Sequence, residues 1–525
     1  ELGGTSLMAM TLDGALQAAT GGAARIGIAK MMQDGSVAGM AKLIDDESLG
    51  GPGRPERKGD DQGRDQAVDA EKTARSAAQV TTVFGRVTAG QEGLYVIWKQ
   101  WPEATNYTVA AVLESGKESL DEAGTFAAVR QLVEVHSALR TKRYFLGGKC
   151  VLQEIGWKDD KFDWEWIVAE SDAEATAGLS SDARRAWDLE SGEGVVRVRA
   201  ASRGGMVVVM WMHHIIGDEW SMSVLRDDYQ AVRRGEELQY PSKQMWEFAE
   251  WEWELLQGEA GEAMRAWWQQ HLRGCKALKL EGMTEKSKRA RTASCRIAPS
   301  VADKAKAAAH AAGVSLFAVW QGVFAAWAHR NMDQSEESEN NDVLVVGPYG
   351  RRDMAQFQRT VGYLLNMVVY RYKSEALAGT DLVGLARESG RVIAEAIERG
   401  GNYPFSRLVR EAGVENADHL MDVMFNWVTG QDLGFVGESR RDSKNAFTVH
   451  SDGAVLAVAS TVFDSMSELH NVLSCLLKIA GEGLKRSGGG VKSLELTLQE
   501  EEWGTGPTLR LGGIVPVTFQ GAVRK

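Results

Sequence analysis

Residues 206–213, "MVVVMWMH", hold apolar side chains at every position up to the first of two adjacent histidines. A strand with one wet face alternates apolar with polar residues, whereas an unbroken run belongs to a strand covered on both faces. That requirement selects layered packing of helices on a sheet. The rest of the chain agrees. "GVVRVRAAS" is a second Val-rich strand, and "NDVLVVGPYGRRD" is a buried strand running into a turn. "LDEAGTFAAVRQLVEVHSALRT", "SMSVLRDDYQAVRRG" and "VSLFAVWQGVFAAWAHR" carry helical apolar spacing. The expected fold class is α/β (α+β), in two lobes of similar size.

At 525 residues the chain is too long for one ordinary domain, and 44% hydrophobic residues with 17 Trp suffice for sizeable cores. A formal net charge of −12 argues against nucleic acid as the main partner, because phosphate binding needs a basic face. Cys150, Cys275, Cys295 and Cys475 are far apart and form no CxxC pair, so neither a zinc site nor a disulfide framework is expected. No apolar run approaches the roughly 20 residues needed to span a bilayer, and no membrane partner is expected. With no signal-peptide pattern at the start, the expected location is cytoplasmic. The first residue is Glu1, which suggests a piece of a longer protein.

Composition divides the chain. Residues 1–48 alternate short helical patterns with Gly. Residues 49–78 are Gly-, Pro- and charge-rich with almost no large apolar residue, which predicts a flexible linker. Strands and helices then alternate over about 79–500. The expected division gives an N-lobe of about 79–260 and a C-lobe of about 261–500. The Trp-rich segment 246–268 reads as lobe packing, and the basic run 286–296 as a solvated surface.

His213 and His214 stand where the apolar run ends, with Asp218 and Glu219 beyond Gly217. Neighbouring side chains on a strand point to opposite faces, so only one imidazole can face a given cavity. Three readings are open: satisfied core histidines, a metal site, or acid–base chemistry. Opposed neighbouring rings rarely chelate one ion, so no metal is expected. A neutral imidazole is the natural proton acceptor near pH 7.

The stretch "MHHIIGDEWSMSVL" closely resembles the HHxxxDG signature of nonribosomal peptide synthetase condensation domains. Supporting stretches follow in family order. These are 87–110 with Gln91 and Tyr95, "VEVHSALRTKRY" at 133–144, "WDLESGEGVVRVRA" at 187–200, and "QMWEFAEWEWE" at 244–254. Further on come "VLVVGPYGRRD", "VGYLLNMVVYRY" around Gly362 and Asn366, and "GGNYPFSRLVRE" at 400–411. "ADHLMDVMFNW" keeps only a general outline of the motif expected after them.

The resemblance implies two chloramphenicol-acetyltransferase-like lobes forming a V with a central tunnel. It implies attack of a carrier-bound amine on a carrier-bound thioester to give an amide. His214 would be the catalytic histidine, either as general base or as a hydrogen-bond partner that positions the amine. His213 would be structural. Asp218 would form an ion pair with an arginine that fixes the loop, Arg351 being the first choice of partner and Arg140 the second. His136 reads as a structural helix residue. Glu219 stands where the family has Gly. That departure leaves a catalytically inactive docking or recruitment domain as an alternative, beside an epimerization-type domain of the same fold.

"LGGTSLMAM" resembles the carrier-protein signature, which makes residues 1–48 a carrier fragment with Ser6 as the candidate attachment site for 4'-phosphopantetheine. Residues 501–525 resemble a linker toward an adenylation domain. The implied partners are upstream and downstream carrier domains and an adenylation domain of the same synthetase.

Overall fold

The computed structural model describes residues 82–105, 107–116, 121–147, 150–156, 162–202, 206–280, 291–332, 341–378 and 380–428, and short pieces between 445 and 499. The expectations for Ser6, for residues 1–48 and 49–78, and for residues 501–525 lie outside the described residues. The architecture is mixed α/β.

Most helices that frame the site open on a side chain that satisfies their orphan N–H groups. Helix α1 (Ala89–Gln100) begins with a capping box in which Thr88 and Gln91 bond each other's backbone. Asp121 caps α2 (Glu122–Val135) and Asp218 caps α3 (Glu219–Arg233). Helices α4 (Met245–Gln257) and α5 (Glu259–His271) follow, and Ser315 caps α6 (Leu316–Arg330). Asp381 caps α7 (Leu382–Gly400).

The strands form three sheets. Strands β1 (Thr82–Arg86), β3 (Thr141–Gly147) and β4 (Cys150–Gly156) make a small antiparallel sheet in the order β1-β4-β3. Strands β2 (Thr108–Gly116), β5 (Asp163–Ile167), β6 (Val196–Ser202) and β7 (Met206–His213) form the order β2-β7-β6-β5. Strand β7 is central there and buried along its whole length, as its unbroken apolar run predicts. Its register pairs His213 with Thr108, and Met212 with both Val109 and Val196.

A larger sheet holds β8 (Arg291–Arg296), β9 (Val343–Tyr349), β10 (Asn366–Tyr372), β11 (Val423–Val428), β12 (Asn445–His450), β13 (Val455–Ser460) and β14 (Leu498–Gln499). Its order is β10-β9-β11-β12-β13-β8-β14. Strand β8 adds backbone order to a stretch expected as a solvated surface, and Arg296 at its end is exposed. The second half of the basic run 286–296 is an interior strand between β13 and β14, because its backbone completes the ladder there.

Two hydrophobic cores result. One gathers residues from Leu94 to Phe248, and the other begins at Leu256 and includes α6 and the larger sheet. Helix α4 straddles the two. Three residues between β9 and β10 break the sequence order: Phe357, Val361 and Leu364 belong to the first core. The chain therefore leaves the second body after β9, packs against the first, and returns as β10. Of the tryptophans of 246–268, Trp251, Trp267 and Trp268 pack in or against the cores, whereas Trp253 is exposed under the Arg86 guanidinium. Trp251 lies beside Phe248 and Phe357, and Trp268 donates from Nε1 to the Gly400 carbonyl at 3.1 Å. Among the described residues no single helix is long and apolar enough to cross a membrane.

Candidate active site

The two histidines leave β7 in different environments. His213 ends the strand and lies beside the Tyr107 ring. Its Nδ1 accepts the Ile215 N–H at 3.1 Å. Burial drives its pKa down to about 3, with the neighbouring His214 adding to the effect. The ring is thus buried and neutral, with Nδ1 spent on its own loop.

His214 starts a short 3-10 turn, His214–Ile216. Its backbone N–H donates to the Tyr107 carbonyl at 2.7 Å. Its Nδ1 lies 2.6 Å from the Gly217 carbonyl oxygen. A carbonyl only accepts, so Nδ1 carries the proton and Nε2 carries the lone pair. Burial pulls the His214 pKa below the ordinary imidazole value, opposed by the Gly217 carbonyl and the Asp218 carboxylate. The ring is therefore a neutral base at pH 7 with a fixed tautomer. Gly217 permits the turn through space: a Cβ there would lie 2.8 Å from Met212 Sδ.

Asp218 does not serve His214 as a partner in proton transfer. Its Oδ1 accepts the Ser221 N–H at 2.9 Å, the Ser221 hydroxyl at 2.7 Å and Arg352 Nη2 at 2.8 Å. Its Oδ2 accepts Arg352 Nη2 at 3.0 Å and the Leu364 N–H at 3.2 Å. The carboxylate caps α3 and anchors the segment between β9 and β10. The partner is Arg352, which corrects the expectation of Arg351 or Arg140. Arg351 has left-handed backbone, φ 53°, so the two neighbouring arginines diverge. Arg351 Nη1 meets Glu252 of α4 at 2.5 Å, and its guanidinium lies over the Phe248 ring. Arg140 instead donates from Nη1 to the Val133 and Glu134 carbonyls at 2.7 Å each, closing the C-terminus of α2.

Glu219 is the first residue of α3 and half-buried. It is not among the residues with positive φ, so the backbone at 219 makes no demand for glycine. A carboxylate in the first turn of a helix is also favoured by the helix dipole.

Residues from both bodies meet at His214. The Tyr363 ring, carried between β9 and β10, stands edge-on to the imidazole with centroids 5.1 Å apart and planes at 84°. Gly90 of α1 makes room for it, since a Cβ at 90 would lie 2.8 Å from Tyr363 Cε1. Gln91 Nε2 donates to the Ile215 carbonyl at 2.8 Å and so ties α1 to the histidine turn. Glu252 Oε2 accepts the Ala89 N–H at 2.6 Å, which links the Arg351 pair to the same helix end.

Other residues singled out by sequence hold the frame. Tyr95 donates to Glu190. Asn366 Nδ2 donates to the Gly401 and Tyr403 carbonyls at 2.9 and 2.8 Å, fixing the Asn-Tyr-Pro-Phe turn. His136 follows α2 and bonds Asp228 of α3 at 2.7 Å through Nε2, while Arg359 reaches the other oxygen of Asp228. Sequence reasoning missed Arg352, Tyr363 and Glu252. Only the doubled Arg in "GRRD" signalled the first, and nothing local signalled the others. Among the described residues no group of three His, Cys, Asp or Glu is placed to hold a metal ion.

The chain is similar to known proteins in sequence and in fold. Polyketide synthase PksN of Bacillus subtilis (strain 168) is 25% identical over 359 residues, covering 63% of this chain and 6% of that protein. Gramicidin S synthase 2 of Brevibacillus brevis is 25% identical over 386 residues, covering 68% of this chain and 8% of that protein. The chain thus spans a small part of these curated relatives. The mixed α/β fold is that of solved condensation domains. The condensation domain from Monacolin K polyketide synthase MokA gives a TM-score of 0.63 at 14% identity over 76% of this chain and 97% of that one. The first condensation domain of the CDA synthetase gives 0.60 at 15% identity over 80% and 99%. Residues 84–459 match the family described as Condensation domain, and the chain belongs to that family.

Proposed function

We propose that this domain forms an amide bond between a carrier-bound donor acyl or peptidyl thioester and a carrier-bound acceptor amine. The supporting observation is His214: buried, neutral, its proton held on Nδ1 by the Gly217 carbonyl and its lone pair on Nε2. The acceptor nitrogen attacks the thioester carbonyl carbon, and Nε2 takes the proton that the nitrogen sheds. Collapse of the tetrahedral intermediate breaks the C–S bond, and the imidazolium returns the proton to the departing thiolate. Asp218 keeps the loop in place through Arg352 and takes no proton. Both substrates arrive on phosphopantetheine arms of carrier domains within a cytoplasmic multimodular synthetase. In this reading residues 1–48 are the end of one such carrier, modified at Ser6, and residues 501–525 are a linker toward an adenylation domain. The reading is an elongating domain.

The test supplies a donor thioester and a loaded acceptor carrier and follows the amide product. His214→Ala should lower the rate by ~10²–10⁴-fold, the size of a lost acid–base group. Because burial lowers the His214 pKa, protonation of His214 should not limit the rate within the ordinary imidazole range. The fall in rate just below neutrality belongs to the acceptor amine, which must be unprotonated to attack, and should be the same in wild type and in Glu219→Gly. Glu219→Gly should leave the rate similar or raise it. Equal turnover by wild type and His214→Ala overturns the assignment. No product from wild type, with a gain in Glu219→Gly, favours the recruitment reading.

A further inference from the structure

We propose that the Tyr363 hydroxyl is a second substrate-contacting group of this site, donating a hydrogen bond to the carbonyl oxygen of the donor thioester. The inference rests on the condensation reading above and names a residue that it does not use.

Most polar groups near His214 are already engaged. Asp218 is bonded by Arg352, Ser221 and Leu364. Arg351 is buried and bonds Glu252 and Asn402 through Nη1 and Nε, with only Nη2 left without a partner among the described residues. His213 is turned into its own loop. Tyr363 differs. Its ring stands edge-on to the imidazole, it is half-buried, and its hydroxyl makes no hydrogen bond among the described residues. Gly90 lies against one edge of the ring, Cδ1 and Cε1, and so fixes its orientation. Burial raises the phenol pKa above its ordinary value, so the group is an O–H donor at neutral pH.

Chemistry gives that donor a use. As the amine nitrogen bonds the carbonyl carbon, the C=O electron pair moves onto oxygen. His214 receives the nitrogen's proton but offers nothing to the new oxyanion. A neutral donor beside the imidazole stabilises that charge as it forms, before C–S cleavage returns the pair to the C=O bond. A cation would also attract the free carboxylates of a cell, whereas a phenol suits a neutral thioester.

The experiment measures binding and needs no turnover. Two stable pantetheine ligands of equal chain length are titrated into the full chain by calorimetry: an acyl amide that keeps the carbonyl and an S-alkyl thioether that lacks it. Wild type should prefer the amide by about three- to tenfold, the size of one neutral hydrogen bond. Tyr363→Phe keeps the ring against Gly90 and His214 and should abolish the preference, with thioether affinity and melting temperature unchanged. The same preference in Tyr363→Phe, or none in wild type, overturns the proposal. Absence of amide formation by wild type, with its ligand preference present and lost in Tyr363→Phe, would instead refute the condensation reading alone.

Discussion

The buried ring of His213 gives the fold an acid-sensitive component. Folding holds its pKa down to about 3, against an ordinary value of ~6.5. Between those values the unfolded chain binds a proton that the folded chain refuses. Stability from this group is therefore complete above about pH 6.5 and is lost progressively as pH falls toward 3. His213→Asn places an amide oxygen where Nδ1 accepts the Ile215 N–H and removes the titration. Urea denaturation between about pH 4 and 7 should show a shallower acid slope, by up to ~1.4 kcal/mol per pH unit. An unchanged slope would mean that His213 is not a neutral, buried ring. What was legible at this scale was identity more than direction. The apolar run placed the histidines at a strand end, and the HHxxxDG resemblance marked His214. The arginine paired with Asp218 was missed by one residue, because the left-handed backbone of Arg351 reverses which neighbour faces the loop. A φ of that sign in a non-glycine residue leaves no trace in composition.

At the scale of elements, helices were the most readable parts, since most carry their own cap and stripe. Asp121 before α2 and Gly235 after α3 were visible in the letters. The segment between β9 and β10 was not. Its residues pack against the other body, and nothing local records a contact with residues more than a hundred positions away. Gly362 shows how closely it is seated. An added Cβ would lie 2.7 Å from Met245 Cγ and closer still to Sδ, and Met245 is itself buried on α4. The Gly362 backbone also exchanges two 3.0 Å bonds with the Ser221 hydroxyl. Gly362→Ala should therefore destabilise by ~1–3 kcal/mol, the usual cost of overpacking. Met245→Ala alone should also destabilise, through the cavity it leaves. Combined, the two should cost less than their sum, because the new methyl occupies the vacated space. A double-mutant cycle by chemical denaturation reads that coupling, and strict additivity would show that the segment sits elsewhere.

For the molecule as a whole, the question is whether two bodies with separate cores unfold together. Separate domains commonly melt separately. Here the β9–β10 segment crosses between them through buried and half-buried polar contacts. Arg352 is fully buried against Asp218, Trp220 Nε1 donates to the Gln358 carbonyl at 2.6 Å, and the Thr360 hydroxyl donates to the Lys243 carbonyl at 2.6 Å. The ion pair is the contact most sensitive to substitution. Removing one charge strands the other in a dry site, which costs ~3–5 kcal/mol, whereas removing both costs far less. Wild type should give a single calorimetric transition. Arg352→Met should split it, with the lower transition assigned to the body that contains Asp218. Asp218→Asn combined with Arg352→Met, which leaves no buried charge, should move the lower transition back toward the upper one. If the domain forms amides as proposed, that activity should end at the lower transition in the single mutant, because Tyr363 rides on the crossing segment while His214 belongs to the body it covers. One undivided transition in Arg352→Met, only slightly displaced, would show that the crossing segment is not what joins the two bodies.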